Sequence, residues 1–132
     1  MNSESRAKSN IIAMADAAGL PESRVRISEF QMIPPCVYFL MRGRAVVYVG
    51  KTRSLYRRVE DHWYGNGSTP VKDFDSFSYI EVESEKQDFV EARFILLLQP
   101  SYNKQLHTKG GRTRLVNLAG DDWVRSRPWL TE

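Results

Sequence analysis

The segment VVYVGKTRSLYRRVEDH, residues 46–62, decides the fold of this chain because it turns from a strand pattern into a helix pattern. The run VVYVG is rich in β-branched and aromatic residues, which are typical of a strand. Leu55, Val59 and Trp63 then recur at i, i+4 and i+8, which predicts a helix with one apolar face. Five residues of the segment are basic, counting the histidine, and no acid precedes Glu60. This charge pattern indicates a partner that carries negative charge.

Two further strand patterns accompany this segment. CVYFLM at residues 36–41 is joined to AVVYVG by Arg42-Gly43-Arg44, so the two runs are predicted to form a β-hairpin. FSYIEVE at residues 77–83 alternates apolar and polar residues, which predicts a third strand with one face in water. We therefore expect a three-stranded antiparallel sheet.

Helix signals surround these strands. Ser54 is the predicted N-cap of a helix that runs to about residue 63. Ser84 and Gln87 fit a capping box, which predicts a helix over residues 84–99 that Pro100 ends. Residues 5–18 also have helical character. The order of the elements predicts a small α+β domain in which helices flank the sheet.

Composition limits the class of protein. The chain has 132 residues, of which 42% are hydrophobic and 27% charged, as expected for one soluble domain. Its single cysteine, Cys36, excludes an internal disulfide and a cysteine-rich zinc site, and it suits a reducing compartment. The sequence has no signal-peptide pattern and no apolar run near the ~20 residues that cross a bilayer. We expect a cytoplasmic protein that does not interact with membranes.

Charge is strongly segregated along the chain. Residues 42–58 contain six basic residues and no acid, and residues 104–114 contain four more, again without an acid. Residues 73–91 contain seven acids and one lysine, Lys86. Segregated basic surface indicates polyanion binding, although charge alone does not separate nucleic acid from an acidic protein, or from an ordinary solvated surface.

Polar residues next to predicted apolar faces are the first candidates for a site. Arg58 and His62 are i, i+4 neighbours at the edge of the apolar stripe of their helix. Glu91 shares a helix face with Ile95 and Leu98, part of an apolar face that also includes Val90, Phe94 and Leu97. A buried carboxylate is costly unless it is paired or bound to a metal. Two interpretations stay open: a structural Glu91–Arg58 ion pair, or a metal-binding carboxylate beside a phosphate-binding arginine.

Two tyrosines and an asparagine complete the candidates. Tyr38 and Tyr48 lie on adjacent strands of the predicted hairpin and could share one face. Asn103 follows the Pro100 break in the sequence PSYN. Each of these residues taken alone is compatible with a purely structural role.

Taken together, these residues resemble the GIY-YIG nuclease family. The first signature corresponds to Cys36-Val37-Tyr38 and the second to Tyr48-Val49-Gly50. The family arginine, ten residues after the second tyrosine, corresponds to Arg58. Four residues further on, where the family usually has histidine or tyrosine, this chain has His62. The helix glutamate twelve residues before the asparagine of a P-x-Y-N ending matches Glu91 and Asn103. The resemblance covers residues 35–104, with Cys36 in place of the first glycine of the signature.

The resemblance implies phosphodiester hydrolysis with a divalent metal, Mg²⁺ or Mn²⁺. Glu91 would hold the metal and Arg58 a nonbridging phosphate oxygen. Tyr38 would take the proton of the attacking water, with its pKa lowered by nearby positive charge from Arg58, Lys51 and the metal. Tyr48 and His62 would orient the water or relay its proton, and Asn103 would fix the local geometry.

Further residues are predicted to bind substrate. They are Gly50, Lys51, Arg53, Arg57 and Arg44, with Arg42 as an additional phosphate contact. Lys51 directly follows YVG, as in the nuclease domain of the bacterial excision-repair incision subunit. We expect DNA rather than RNA as substrate, and a homodimer or a targeting protein partner is compatible with the sequence. The alternatives are a noncatalytic nucleic-acid-binding module with this fold and a domain that binds an acidic protein.

The resemblance also divides the chain. Residues 1–33 are predicted to be an N-terminal helical extension, residues 34–106 the nuclease domain, and residues 107–132 a C-terminal extension packed on it. The sequence DDWVRSRPWL in this last part predicts a short helical turn that docks Trp123 and Trp129. No separate recognition domain is expected within this length.

Overall fold

A three-stranded antiparallel sheet forms the centre of the computed structural model, which describes residues 34–130. Strand β1 spans Cys36–Arg42, β2 spans Ala45–Thr52 and β3 spans Ser76–Glu81. Their order is β2-β1-β3, so β1 lies between the other two strands and β2 is at an edge. The predicted α+β class, the hairpin and the third strand are confirmed. The predicted helix at residues 5–18 lies outside the described residues.

The register of the hairpin decides which side chains share a face. Tyr38 pairs with Gly50 and Leu40 with Tyr48, so Tyr38, Leu40 and Tyr48 project from one face of the sheet. The register shifts between Leu40 and Met41, which leaves Val47 as an extra residue on β2. The two tyrosines are therefore brought to the same face, as the sequence predicted.

Helix α1 spans Leu55–Tyr64 and covers this face. Ser54 occupies the N-cap position, as predicted, but its side chain makes no capping hydrogen bond. Instead, the Ser54 backbone N–H donates to Thr52 Oγ1 at 2.9 Å. Leu55 and Val59 pack with Leu40 in one core cluster.

Helix α2 spans Gln87–Leu98 and follows a 3-10 turn at Ser84–Lys86. The predicted capping box is wrong, because the Gln87 side chain does not return to Ser84. Its amide nitrogen donates to the C=O groups of Cys36 and Thr52, at 3.1 Å each, and so ties the start of α2 to two strands.

The predicted apolar face of α2 is only partly correct. Ala92, Ile95 and Leu96 are the buried hydrophobic residues, whereas Leu97 and Leu98 are 47% and 44% exposed. The difference arises because α2 packs against the sheet and against the C-terminal segment through a narrow stripe, which excludes the last two leucines.

The C-terminal segment is more helical than predicted. Helix α3 spans Lys109–Ala119 and α4 spans Asp121–Arg125, and Thr108 Oγ1 caps α3 by accepting from the Gly111 N–H at 3.0 Å. Trp123 packs against the core as predicted, but the docking predicted for Trp129 is wrong, since this side chain is 61% exposed. No helix within residues 34–130 is long and apolar enough to cross a membrane.

Two hydrophobic clusters lie on opposite faces of the sheet. One lies under α1, and the other joins β1 and β2 to α2, α3 and α4. The outer edge of β2 is where the α1 side and the α2 side of the molecule meet. Side chains from both sides can therefore reach one place.

Candidate functional site

Gly50 and Tyr38 pack closely against each other. Tyr38 is 1% exposed, and Gly50 lies directly opposite it on β2 and is buried. A Cβ atom on Gly50 would lie 2.7 Å from Tyr38 Cε1 and closer still to Cζ and Oη. The absence of a side chain at Gly50 therefore makes room for the tyrosine ring. The substrate contact predicted for Gly50 stays a prediction.

Cys36, which stands in place of the first signature glycine, fits regular β structure. It pairs with Thr52 on β2 and Glu81 on β3 and is 1% exposed. Burial, with a smaller contribution from Glu81, raises the pKa of its thiol to about 12. The side chain is an inert part of the core rather than a nucleophile.

The sequence predicted His62 at the edge of the apolar stripe of its helix, but the residue lies inside the protein. It is 0% exposed, and its Nε2 lies 2.7 Å from Tyr38 Oη. Its ring centroid is 4.7 Å from that of Tyr48. Burial first, and then Lys72 and Arg58, lower its pKa to about 3, so the imidazole is neutral. Within the described residues, Nδ1 has no hydrogen-bond partner.

The two tyrosines differ in their access to solvent. Their ring centroids are 6.0 Å apart, and Tyr48 is only partly buried and lines a surface cavity, whereas Tyr38 lies behind it. Burial and the neighbouring Tyr48 raise the pKa of Tyr38, and Arg58 offsets this only in part. Burial also raises the pKa of Tyr48, again against the effect of Arg58. In the protein alone both phenols are therefore neutral, and the lowering predicted for the Tyr38 pKa, which included a bound metal, stays a prediction.

Arg58 faces the same cavity from α1. Its Nη1 donates to Thr69 Oγ1 at 2.9 Å and lies 3.6 Å from the Asp61 carboxylate. Of the two interpretations that the sequence left open, the structural ion pair with Glu91 is not found, because the guanidinium pairs with Asp61 of its own helix instead. About a third of the side chain (36%) is exposed, so the guanidinium is held on one side and open on the other.

Glu91 projects from α2 toward the edge of β2. It is partly buried, and no residue within 34–130 forms an ion pair with it. Burial raises its pKa while the positive charge of Lys51 lowers it, and Glu91 in turn raises the pKa of Tyr48. Lys51 itself pairs with Asp88, one turn earlier on α2. A partly buried carboxylate without a cationic partner fits a hard divalent cation such as Mg²⁺.

A metal bound to Glu91 would take most of its ligands from oxygens other than protein carboxylates. The described residues contain no group of three or more histidine, cysteine, aspartate or glutamate side chains that could hold a metal ion. Glu91 would therefore be the one carboxylate ligand, with water and phosphate oxygens in the other positions.

Asn103 is buried and its side chain forms hydrogen bonds with the backbone of β2. Its Oδ1 accepts from the Val49 N–H and its Nδ2 donates to the Val49 C=O, both at 2.9 Å. The Tyr102 N–H donates to the Val47 C=O at 2.9 Å. The segment around Asn103 thus covers the edge of β2 on either side of Tyr48. This geometry makes Asn103 a positioning residue, which acts through the strand.

Lys72 is the main residue that the sequence interpretation missed. It is only 9% exposed, and its Nζ lies 4.9 Å from the centroid of the Tyr48 ring. Lys72, Phe74 and Ser76 are buried in an extended segment, alternating with exposed residues. This period of two, with a lysine in phase with a phenylalanine, is the signal that could have identified it.

The other predicted substrate residues are exposed. Lys51 lies near Glu91, Arg53 and Arg57 flank the start of α1, and Arg44 is in the hairpin turn. Arg42 at the end of β1 pairs with Asp73. Their contacts with substrate stay predictions.

Comparison with known proteins places these features in a family. The model of the GIY-YIG catalytic domain matches residues 34–104. UvrABC system protein C of Fervidobacterium nodosum is 30% identical over 74 residues, which is 53% of this chain and 13% of that protein. The same protein of Thermosipho africanus is 29% identical over 92 residues, which is 67% of this chain and 16% of that protein. The chain therefore corresponds to a small part of these relatives.

The fold was also compared with solved structures. The magnesium-bound GIY-YIG N-terminal endonuclease domain of UvrC from Thermotoga maritima is 19% identical, with a TM-score of 0.47. The match covers 78% of this chain and 99% of that domain. A cation-bound point mutant of the same domain gives 21% identity and the same TM-score.

Proposed function

The chain belongs to the GIY-YIG family, and we propose that it is a metal-dependent endonuclease that hydrolyses phosphodiester bonds in DNA. The observation that carries this proposal is the carboxylate of Glu91, which is partly buried and lacks an ion-pair partner among residues 34–130. It lies close enough to Tyr48 to raise the pKa of that phenol. A carboxylate in this setting is stabilised by a cation that enters with the substrate.

Glu91 would bind Mg²⁺ or Mn²⁺ through its carboxylate oxygens. When bound, the metal neutralises charge on the scissile phosphate and stabilises the leaving oxygen. Arg58 would bind a nonbridging oxygen of the same phosphate. Its contact with Thr69 keeps the guanidinium in place, so little side-chain entropy is lost when the phosphate arrives.

We assign contact with the attacking water to Tyr48, because Tyr48 lines the cavity and Tyr38 is 1% exposed behind it. The sequence interpretation gave the proton-accepting role to Tyr38. Tyr38 and the neutral His62 are joined by the contact at 2.7 Å and would hold the Tyr48 ring in orientation. Arg58 lowers the pKa of Tyr48 against the effect of burial, which favours transient loss of its proton.

A cleavage assay tests the function. Supercoiled plasmid, single-stranded circular DNA and a structured RNA are incubated with Mg²⁺, Mn²⁺ or EDTA. We expect metal-dependent cutting of DNA by the wild type, and a loss of about 100-fold or more in Arg58→Ala, which removes transition-state charge stabilisation. Glu91→Gln removes the metal ligand and should abolish cutting.

Lys86→Gln is the control, since it removes one exposed basic side chain that has no part in the proposed chemistry and pairs with Glu83. It should cut like the wild type. Salt-sensitive binding without any cutting would instead support the noncatalytic module, and binding to no nucleic acid at low salt would refute both. Cutting that survives Glu91→Gln would refute the proposed metal site.

Targeting by a second copy of the chain or by another protein remains our proposal for how the substrate is selected. Sedimentation of the purified protein with and without DNA would distinguish a dimer from a monomer. A protein that is monomeric and cuts without preference would need a targeting partner.

A further inference from the structure

A cationic site lies in the cavity next to Tyr48, which Glu91 does not line. The cavity has a volume of about 270 Å³ and includes Arg58, Lys72 and Lys104 in its lining, together with Thr69 and Tyr102. None of the described residues that line it is acidic. Three cationic side chains therefore line one surface cavity, and no carboxylate is among its described lining residues.

Lys72 is held in this cavity by the fold. Its backbone N–H donates to the His62 C=O at 3.0 Å, and its Nζ donates to the Pro70 C=O at 3.3 Å. At 9% exposure it is unusually buried for a lysine, a residue that is almost never buried unless it is paired. Its contacts are a carbonyl and the face of the Tyr48 ring, neither of which carries a full negative charge.

The cations in this cavity destabilise one another. Burial lowers the pKa of Lys72, and the charges of Arg58 and Lys104 lower it further. Of the three, Arg58 has a carboxylate nearby, Asp61, at 3.6 Å. A bound anion would offset both the burial and the mutual repulsion.

We propose that Lys72 and Lys104 bind a second phosphate of the nucleic-acid strand, next to the phosphate that is cleaved. The proposal rests on the proposed nuclease function and specifies how its substrate lies. Arg58 lines the cavity and would lie between the two phosphates, so that the strand runs from Glu91 past Tyr48 into the Lys72 cavity. Tyr102, a residue of the cavity lining that is 36% exposed, offers a surface for stacking of a base. A strand with both phosphates and bases fits this cavity better than a free anion.

The test measures the binding of a short fluorescent single-stranded oligonucleotide in EDTA, where metal-dependent cutting is absent. The affinities of wild type, Lys72→Gln, Lys104→Gln and the double variant are measured between about 50 and 200 mM salt. Each lost phosphate contact should reduce the slope of log K against log salt by about 0.7. Lys86→Gln, with the same charge change, should leave the slope unchanged.

A second arm locates the phosphate. Each phosphate of the oligonucleotide is replaced in turn by an uncharged methylphosphonate. We expect one position, adjacent to the cleaved one, at which the substitution weakens binding to wild type but not to the double variant. Cleavage of the unmodified strand with Mg²⁺ is measured in parallel.

The outcomes separate the two proposals. If wild type binds and cuts but both lysine variants keep its salt slope, the second phosphate site is refuted and the nuclease function stands. If wild type neither binds nor cuts, both are refuted. Lys104 is exposed, so Lys104→Gln remains decisive even if thermal unfolding finds that Lys72→Gln is poorly folded.

Discussion

At the scale of single residues, the packing of Tyr38 on Gly50 sets the position of the tyrosines. Gly50→Ala would place a methyl group on the Tyr38 ring, and the ring is enclosed and cannot move away. We expect a loss of about 1–3 kcal/mol in the free energy of unfolding, as for overpacked cores. We also expect the cleavage activity to fall by more than the fraction of folded protein does.

Urea unfolding and cleavage by Gly50→Ala provide the measurement. Gly110→Ala is the control, since no atom lies within 4 Å of a Cβ built at this helical position. An alanine at position 50 with wild-type stability and activity would contradict the packing role of Gly50.

The buried His62 predicts how stability depends on pH. Its pKa is about 3 in the folded protein, against about 6.5 in an unfolded chain. Between these values the unfolded state binds more protons, so stability falls as pH is lowered below about 6.5. The His62 contribution should destabilise the fold by about 2 kcal/mol between pH 7 and pH 5.

Urea unfolding at both pH values tests this expectation. In His62→Gln the difference between pH 7 and pH 5 should shrink by about that amount, whatever the stability at pH 7. His107→Gln replaces an exposed histidine and is measured in parallel as the control for the loss of one imidazole. An unchanged difference in His62→Gln would mean that the imidazole titrates normally in the folded state.

Sequence spacing predicted the identities of the candidate residues but not their environments. The positions of Tyr48, Arg58 and Glu91 follow from motif spacing, which is a property of the chain alone. The depth of His62 and the role of Lys72 depend on how the segment after α1 folds back over the helix. Motif spacing does not report such contacts, although the period of two around Lys72 was a local signal for that residue.

At the scale of elements, the edge of β2 determines the shape of the site. Asn103 pairs with both backbone groups of Val49, in the way that a neighbouring strand would. Asn103→Asp keeps the shape of the side chain but replaces the donor with an acceptor, which leaves the Val49 C=O unpaired beside a buried charge. We expect a loss of about 1–3 kcal/mol or more in the free energy of unfolding, since unpaired buried polar groups cost this much.

The measurement is urea unfolding combined with cleavage kinetics. Asn117→Asp makes the same chemical change at an exposed position of α3 and should alter stability by less than about 0.5 kcal/mol. Equal effects of the two substitutions would show that the edge of β2 does not need Asn103.

Element prediction failed where tertiary contacts override local signals. Ser84 and Gln87 fit a capping box, yet the Gln87 amide binds strand carbonyls that are distant in sequence. The helix at Lys109–Ala119 was missed because two glycines near its start weaken the helical pattern, and its stability comes from packing. The strands, by contrast, carry local signals of their own, two as runs of β-branched and aromatic residues and one as an alternation, and were predicted to within two residues at each end.

At the scale of the whole molecule, the C-terminal helices complete the second core. Leu115, Val124 and Leu130 are each less than 10% exposed and belong to the same cluster as Val37 and Val49 of the sheet. Burial of such side chains stabilises a fold by about 1.5–3 kcal/mol each. The predicted boundary at residue 107 therefore cuts through a shared core.

Truncation after His107 tests this view. The three lost side chains together contribute about 5–9 kcal/mol, which is comparable to the 5–15 kcal/mol that stabilises a typical domain. We expect the truncated chain to lack a cooperative urea transition and the signal of ordered aromatic side chains in near-ultraviolet circular dichroism.

Trp129→Ala removes an exposed side chain from the same segment and should cost less than about 0.5 kcal/mol. A truncated chain that unfolds cooperatively with near wild-type stability would instead make α3 and α4 an appendage. The C-terminal boundary of the folded unit would then lie near residue 107, and the family match to residues 34–104 would describe an independent domain.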